Sequence, residues 1–570
     1  MGRLRWQLII ALGGLVLIAG LLLTQAPGPD QTAPEPVRGG TYAEAIVGSP
    51  TRLNPVLDSF NQVDRDIDRL IYSGLVRFDD QGAPQPDLAA NWAITADAMT
   101  YTVSLRDDAT WHDGTPVTSD DVIYTFSKLQ DLDYPGPADL QAMWQQISLT
   151  KIDARTVQFK LPEPFAPFLD YLSVGLLPDH LLRGVSAGDL VNHPLSLQPV
   201  GTGPFRFDGF EFEAGKIRRV SLTAFEDYYG QPPYLERVDL YFFDGPAEAL
   251  QAYQAGNLQG VSGPTGEALQ ALLRDPATNV YSARLPSAGL VFLNTRHPEK
   301  TFLGDKRVRQ ALLLAINRQS IIDRFFMGQA VVATGPVLPG TWAYAQGLAP
   351  LPFDPERAAS LLDASGWRVP VGATPGTPDY VRSLDDLPLA FELLHPDDPT
   401  HLAVAKALQE YWRQIGIVVN LRAAPAASVV VDALEPRAFE AALTDLDLSR
   451  YPDPDPYPFW HDSQAEAGQN YSGFSDRNIS IWLEQARTTP DIRKRAELYR
   501  SFEYRFQDQV PSLFLYHPVY TTAATAQMQG VTLGPMVDPS DRFGSIEQWY
   551  VLARRARTQE PDTGDGVLPQ

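Results

Sequence analysis

Apolar and polar residues alternate with a period of two over 101–105 (YTVSL) and 156–161 (TVQFKL), the pattern of half-buried strands. Elsewhere the period lengthens to that of a helix. In 305–322, DKRVRQALLLAINRQSII, the residues Val308, Ala311, Leu312, Ala315 and Ile316 share one face, and Asp305 is placed to cap the start of one helix through the run. In 353–367, FDPERAASLLDASGW, Asp354 reads as the cap, Pro355 as the first helical residue and Gly366 as the stop. A third helix runs through Leu402, Ala405, Leu408, Trp412 and Ile415, stops at Gly416 and feeds a β-branched strand to 421, which is the unit of an α/β layer. Pro/Gly-rich joints are expected at 195–204, 335–340 and 369–379, and no internal repeat is visible.

The stretch TWHDGTPVTSDDVIYTF (110–126) carries chemistry-bearing side chains but reads first as structure. Asp113-Gly114 suits a tight turn, and Thr118 with Asp121 three residues on has the spacing of a helix cap with an acidic first turn, to which Asp120 adds. The rival reading makes His112 and Asp113 an acid/base pair, but neighbouring side chains on an extended loop point apart and no nucleophile motif accompanies them.

At 570 residues the chain is too long for one core, and three or four structural units are expected. A formal net charge of −23 argues against a nucleic-acid partner. Without cysteine there are no disulfides, thiolate metal sites or cysteine nucleophiles. The eight histidines, at 112, 180, 193, 297, 395, 401, 461 and 517, stand singly without metal-ligand spacing, so no metal and no cofactor is expected. His461, Asp462 and His517 read as solvated surface residues and not as metal ligands. At the N-terminus, Arg3 and Arg5 precede an apolar run to Leu23, and counting from Trp6 gives 18 uncharged residues. Residues 1–24 therefore read as an export signal or membrane anchor, with the anchor favoured because no small-residue cleavage site follows. Residues 25–38 read as a Pro-rich spacer and 556–570 as a solvated tail.

Six segments, taken in order, carry a family resemblance: GGTYAEAIVGSPTRLNPV (39–56), IYSGLVRFD (71–79), the long run from Pro86 to Phe126, PVGTGPFRF (199–207), the run from Val291 to Ile322, and the helix-Gly-strand at 402–421. Together they resemble the peptide and nickel class of extracellular solute-binding proteins that serve ABC importers, the oligopeptide- and dipeptide-binding family. The resemblance implies an α/β fold of two lobes hinged about a cleft, the first lobe split into two subdomains. Carried onto this chain, lobe one spans 39–288, with an inserted subdomain at about 77–197, and takes the return segment 510–555; lobe two spans 289–509.

It also implies capture rather than turnover: a monomeric receptor, not an enzyme, closing on a peptide or other small solute and presenting it to permease subunits. Peptide-binding members carry a Trp-x-x-Asp segment whose Asp pairs with the ligand's amino group. The matching stretch here runs from Asp447 to Pro454 and places Asp447 at the Trp position and Arg450 at the Asp position. An arginine repels an ammonium and suits a carboxylate or phosphate. That departure keeps an oligosaccharide or anionic solute open beside peptides, with Asp445, Asp447 or Asp453 as substitute acids. Tyr451 and Trp460, from an aromatic run that includes Tyr457, Phe459 and Tyr471, are read as ligand-stacking, and Asn294 and Tyr516 as cleft residues at the two crossings. An extracellular hydrolase and a membrane-coupled sensory module are the rival classes.

Overall fold

The computed structural model describes residues 36–448, 453–534 and 536–551. The expected anchor, most of the spacer and the tail lie outside the described residues, as do Arg450 and Tyr451.

Twelve strands make one mixed sheet through the molecule. Its organiser is the strand Ser512–Thr525, long enough at 14 residues to serve both ends. Its second half pairs antiparallel with Thr278–Arg284, and its first half with Ser287–Leu293. Between those partners Leu285 and Pro286 step from one half to the other. On one side the sheet continues through Gly260–Ser262, Thr41–Val47, Arg237–Phe243, Lys216–Ala224 and Phe205–Glu213. On the other it continues through Ala441–Asp447, Ala390–Pro396 and Val418–Ala424. Separate cores form on the two sides, one around Ile67, Leu70 and Trp549, the other in two layers around Leu312 and Trp412 and around Phe292 and Trp460. This is a two-lobed α/β architecture.

Local sequence signals explain the elements. The strand Thr100–Leu105 alternates partly exposed and buried residues throughout and belongs to a separate four-stranded antiparallel sheet with Ala89–Ile94, Thr156–Lys160 and Ser148–Lys151. Asp354 caps Pro355–Ala364 by accepting from the Arg357 amide, and Gly366 leaves with φ +90°, a region glycine enters without Cβ strain. The helix Pro399–Gln414 ends before Gly416, and the strand after it lies parallel to Ala390–Pro396. The run from Asp305 differs from expectation. It is two helices, Lys306–Leu314 and Arg318–Phe325. Asn317 recaps the second by accepting from Ser320 N at 2.9 Å, and the buried Arg318 guanidinium donates to the carbonyls of Ala333 (2.7 Å) and Phe514 (3.1 Å). A capping side chain and a buried cation with fixed acceptors override the continuous apolar periodicity.

The loop from Thr110 is structural. Thr118 and Asp121 form a capping box on Ser119–Gln130, and Gly114 turns with φ +85°. His112 does not pair with Asp113, which binds His180 Nε2 at 2.8 Å. Instead His112 Nδ1 accepts from Gly201 N at 3.2 Å and Nε2–H donates to Gly203 O at 3.0 Å, fixing a neutral tautomer. Burial pushes its pKa down to about 4. Gly203 N in turn donates to Ile71 O at 2.7 Å, and a Cβ on Gly201 would fall 1.9 Å from that same oxygen. The loop therefore clamps the end of the helix Gln62–Ile71, whose residues Arg65, Asp68 and Arg69, with the preceding Asp58–Phe60, line the cleft described next.

Candidate functional site: the cleft between the lobes

Two adjoining cavities open where the lobes meet. One, of about 260 Å³, lies between lobe-one residues such as Arg69, Phe78 and Met536 and lobe-two residues Leu338, Leu448 and Pro454. The other, of about 500 Å³, shares Arg69, Phe78, Val537 and Asp541 with the first, so the two make one continuous cleft. Its walls have two characters. Leu129, Tyr134 and Leu140 are apolar or aromatic and come from the helical stretch between the strands Thr100–Leu105 and Ser148–Lys151. Asp58, Asp68, Asp538 and Asp541 come from the helix Gln62–Ile71 and the segments packed on it. A cleft of several hundred Å³ with an apolar side and a few polar groups is built to hold a small molecule.

The lobes touch around this cleft. Trp342 N donates to Gln81 O at 2.9 Å. Asp453 N donates to Asp170 Oδ2 at 2.7 Å, and the Arg487 guanidinium lies 5.6 Å from the Phe165 ring centre and 3.9 Å from that of Tyr457. Behind this contact Asp453 forms a buried ion pair with Arg495 and accepts from Tyr499 Oη at 3.1 Å. Burial alone would lower the Arg495 pKa, but Asp453 more than offsets it and holds the guanidinium charged. Asp170 is held well above the carboxylate range, first by burial and then by the Asp453 charge.

The residues singled out from sequence separate accordingly. Asp447 lines the larger cavity. Asp453 is a correction: it is buried in the Arg495 pair and serves contact between lobes instead of facing the cleft as a substitute acid. Trp460 is another. At 1% exposure it stacks on Phe292 with 6.0 Å between centroids and meets Phe506 edge-on at 4.7 Å, because its indole fills the lobe-two core. Asn294 is also internal; its amide donates to the carbonyls of Arg437 (3.1 Å) and Phe439 (3.0 Å), satisfying a strand end. Tyr516 packs 4.3 Å from Phe326 and donates to Asp445 at 3.3 Å, so it supports the crossing from within. Arg450 and Tyr451 lie outside the described residues, in a segment bracketed in sequence by the cleft residues Leu448 and Pro454. No group of three or more metal-ligating side chains occurs among the described residues.

Sequence reasoning missed Asp58, Asp68, Arg69 and Phe78. The signal was present in the repeated acids Asp64, Asp66 and Asp68.

Residues 83–469, about two thirds of the chain, match the family described as bacterial extracellular solute-binding proteins, family 5. The chain belongs to that family. This solute-binding protein is 26% identical over 529 residues to the oligopeptide-binding protein AppA of Bacillus subtilis, covering 91% of this chain and 93% of that one. It is 25% identical over 526 residues to the dipeptide-binding protein of Escherichia coli, covering 88% and 93%. Among solved structures, HbpA2 from Haemophilus parasuis superposes with a TM-score of 0.76 at 24% identity, covering 88% of this chain and 99% of that one, a likeness of fold.

Proposed function

We propose that this solute-binding protein captures an oligopeptide-like or other organic solute in the cleft between its lobes and presents it to the permease subunits of an ABC importer. It works as a monomer outside the cytoplasm, tethered through residues 1–24. The observation that carries the reading is the cleft itself, walled by both lobes and bordered by contacts such as Asp453 to Asp170 that exist only while the lobes are together. Affinity in such a receptor comes from contacts made in the closed state, and release follows opening. Asp447, with Arg450 and Tyr451 from the adjoining segment, is the lobe-two contribution; Tyr72, Arg69 and Phe78 belong to lobe one. His112, neutral and engaged on both nitrogens, has no free base to offer a hydrolase.

Native mass spectrometry of freshly purified full-length protein tests this, paired with small-angle scattering before and after the carried solute is stripped. A bound organic solute, unchanged after incubation, and a smaller radius in its presence are expected. A solute that is chemically converted, or a radius that ignores ligand, removes the reading.

A further inference from the structure

Three acids stand on the helix Gln62–Ile71, all buried, and two have their oxygens partnered. Asp64 accepts from Thr51 N (2.6 Å) and Thr51 Oγ1 (2.5 Å) and from Arg52 N (3.1 Å). Asp66 takes both terminal nitrogens of Arg542, at 2.8 and 2.9 Å. Asp68 is different. It is 3% exposed, lines the larger cavity, and neither of its oxygens accepts a hydrogen bond of normal geometry, the backbone of Asn54 coming near without closing one. Nearby Arg65 has none to give: it is committed to Asp538 (2.8 Å), to the carbonyls of Asp58 (3.1 Å) and Ser59 (2.9 Å), and to Gln62 (2.7 Å). Arg69 faces Asp541, at 3.8 Å. An orphaned buried carboxyl costs stability unless something supplies a partner.

We propose that Asp68, with Asp58 beside it on the same cavity wall, is the subsite for a cationic group of the solute, an ammonium or guanidinium carried next to an apolar body. Burial is the first cause that raises the pKa of both while the cleft has no cation: Asp58, with Arg65 offsetting part of the shift and Asp538 and Asp64 adding to it, is pushed up to about 8, and Asp68, with Asp58 and Asp64 adding, stands well above the carboxylate range. An arriving cation supplies the counter-charge that Asp68 lacks, and the carboxyl releases its proton to solvent water. The apolar body lies against Tyr72, Leu129 and Leu140 on the same cavity. This places amine recognition on lobe one, which accounts for how a chain with Arg450 at the position expected for the amine-binding acid can still take a cation. A divalent metal is a poor fit, since no triplet of ligating side chains is assembled among the described residues.

The inference rests on the solute-capture reading, and its test separates the two. Isothermal titration uses full-length protein stripped of carried solute, wild type and Asp68→Asn, with three probes: Leu-Leu-Leu, its N-acetyl form, and N-acetyl-Leu-Lys-Leu. Circular dichroism confirms that the near-isosteric variant is folded. The expected result is that N-acetylation weakens trileucine binding to wild type at least tenfold, and that the variant binds the free and acetylated forms alike. If the recognised amine is a side chain, N-acetyl-Leu-Lys-Leu binds the wild type instead and loses at least tenfold in the variant. Equal binding of trileucine and its acetyl form, with no loss in the variant, overturns the cation subsite and leaves peptide capture standing. Binding of none of the three to wild type overturns both.

Discussion

Replacing Asp170 with alanine should open the cleft without loosening either lobe. In the closed molecule its Oδ2 accepts the Asp453 amide at 2.7 Å across the lobe boundary. Because burial and the neighbouring Asp453 charge keep the Asp170 carboxyl protonated, the lost bond is valued as a neutral one, about 1 kcal/mol. The Asp453 amide, left inside the contact without an acceptor, raises the total penalty on the closed state to about 1–3 kcal/mol. That is about 5–150-fold in solute affinity, carried mainly by faster dissociation. Asp170→Asn keeps an acceptor oxygen and should recover most of it. The pH dependence has a definite sign. Opening exposes the carboxyl to water and removes the Asp453 charge, the two influences that raise its closed-state pKa, so closure takes up a proton. The contribution to closure is therefore fully present below the open-state pKa and is lost as pH rises through the raised closed-state value. Wild-type affinity should weaken with rising pH more steeply than that of Asp170→Asn. Stopped-flow dissociation of the carried solute, with scattering to follow closure, reads each effect. Unchanged dissociation in the alanine variant, with normal closure, would refute the assignment of this contact as a latch.

Other perturbations give separable outcomes. Arg495→Met leaves Asp453 buried without its counter-charge and should cost about 3–5 kcal/mol in chemical denaturation, while adding Asp453→Leu should recover much of it, since an apolar pair replaces an ionic one at little cost. For His112, the folded-state pKa of about 4 lies below the unfolded value of about 6.5, so its share of stability is present above pH 6.5 and is lost as pH falls through 4. His112→Gln should flatten that part of the acid-denaturation curve by at most about 3 kcal/mol, and a curve that overlays the wild type would show the ring is not buried neutral. Gly201→Ala places a Cβ 1.9 Å from the Ile71 carbonyl, a backbone oxygen that cannot swing aside, and should destabilise lobe one by about 3 kcal/mol or more as read by thermal unfolding.

What the sequence discloses about this protein divides along a physical line. Periodicity and caps are local, so the strands at 101 and 156, the Asp354 and Thr118 caps and the Gly416 stop were legible without a structure, and ordered segments carried the two-lobed fold. Side-chain direction is not local. Trp460 and Asn294 stand in cleft-associated segments, yet one fills a core and the other ties down a strand end, because packing partners distant in sequence decide where each points. The same limit concealed the converse case. Asp64, Asp66 and Asp68 read alike along the chain, and only the positions of Thr51 and Arg542 show that two are satisfied and one is not. A receptor that must close around a solute needs a group whose partner arrives with the ligand, and such a group is recognisable only by elimination, after every neighbour has been assigned to something else. That is why the extended loop with the most evident chemistry, around His112, proved to be scaffolding, while the acid with no partner stands on the wall of the cleft.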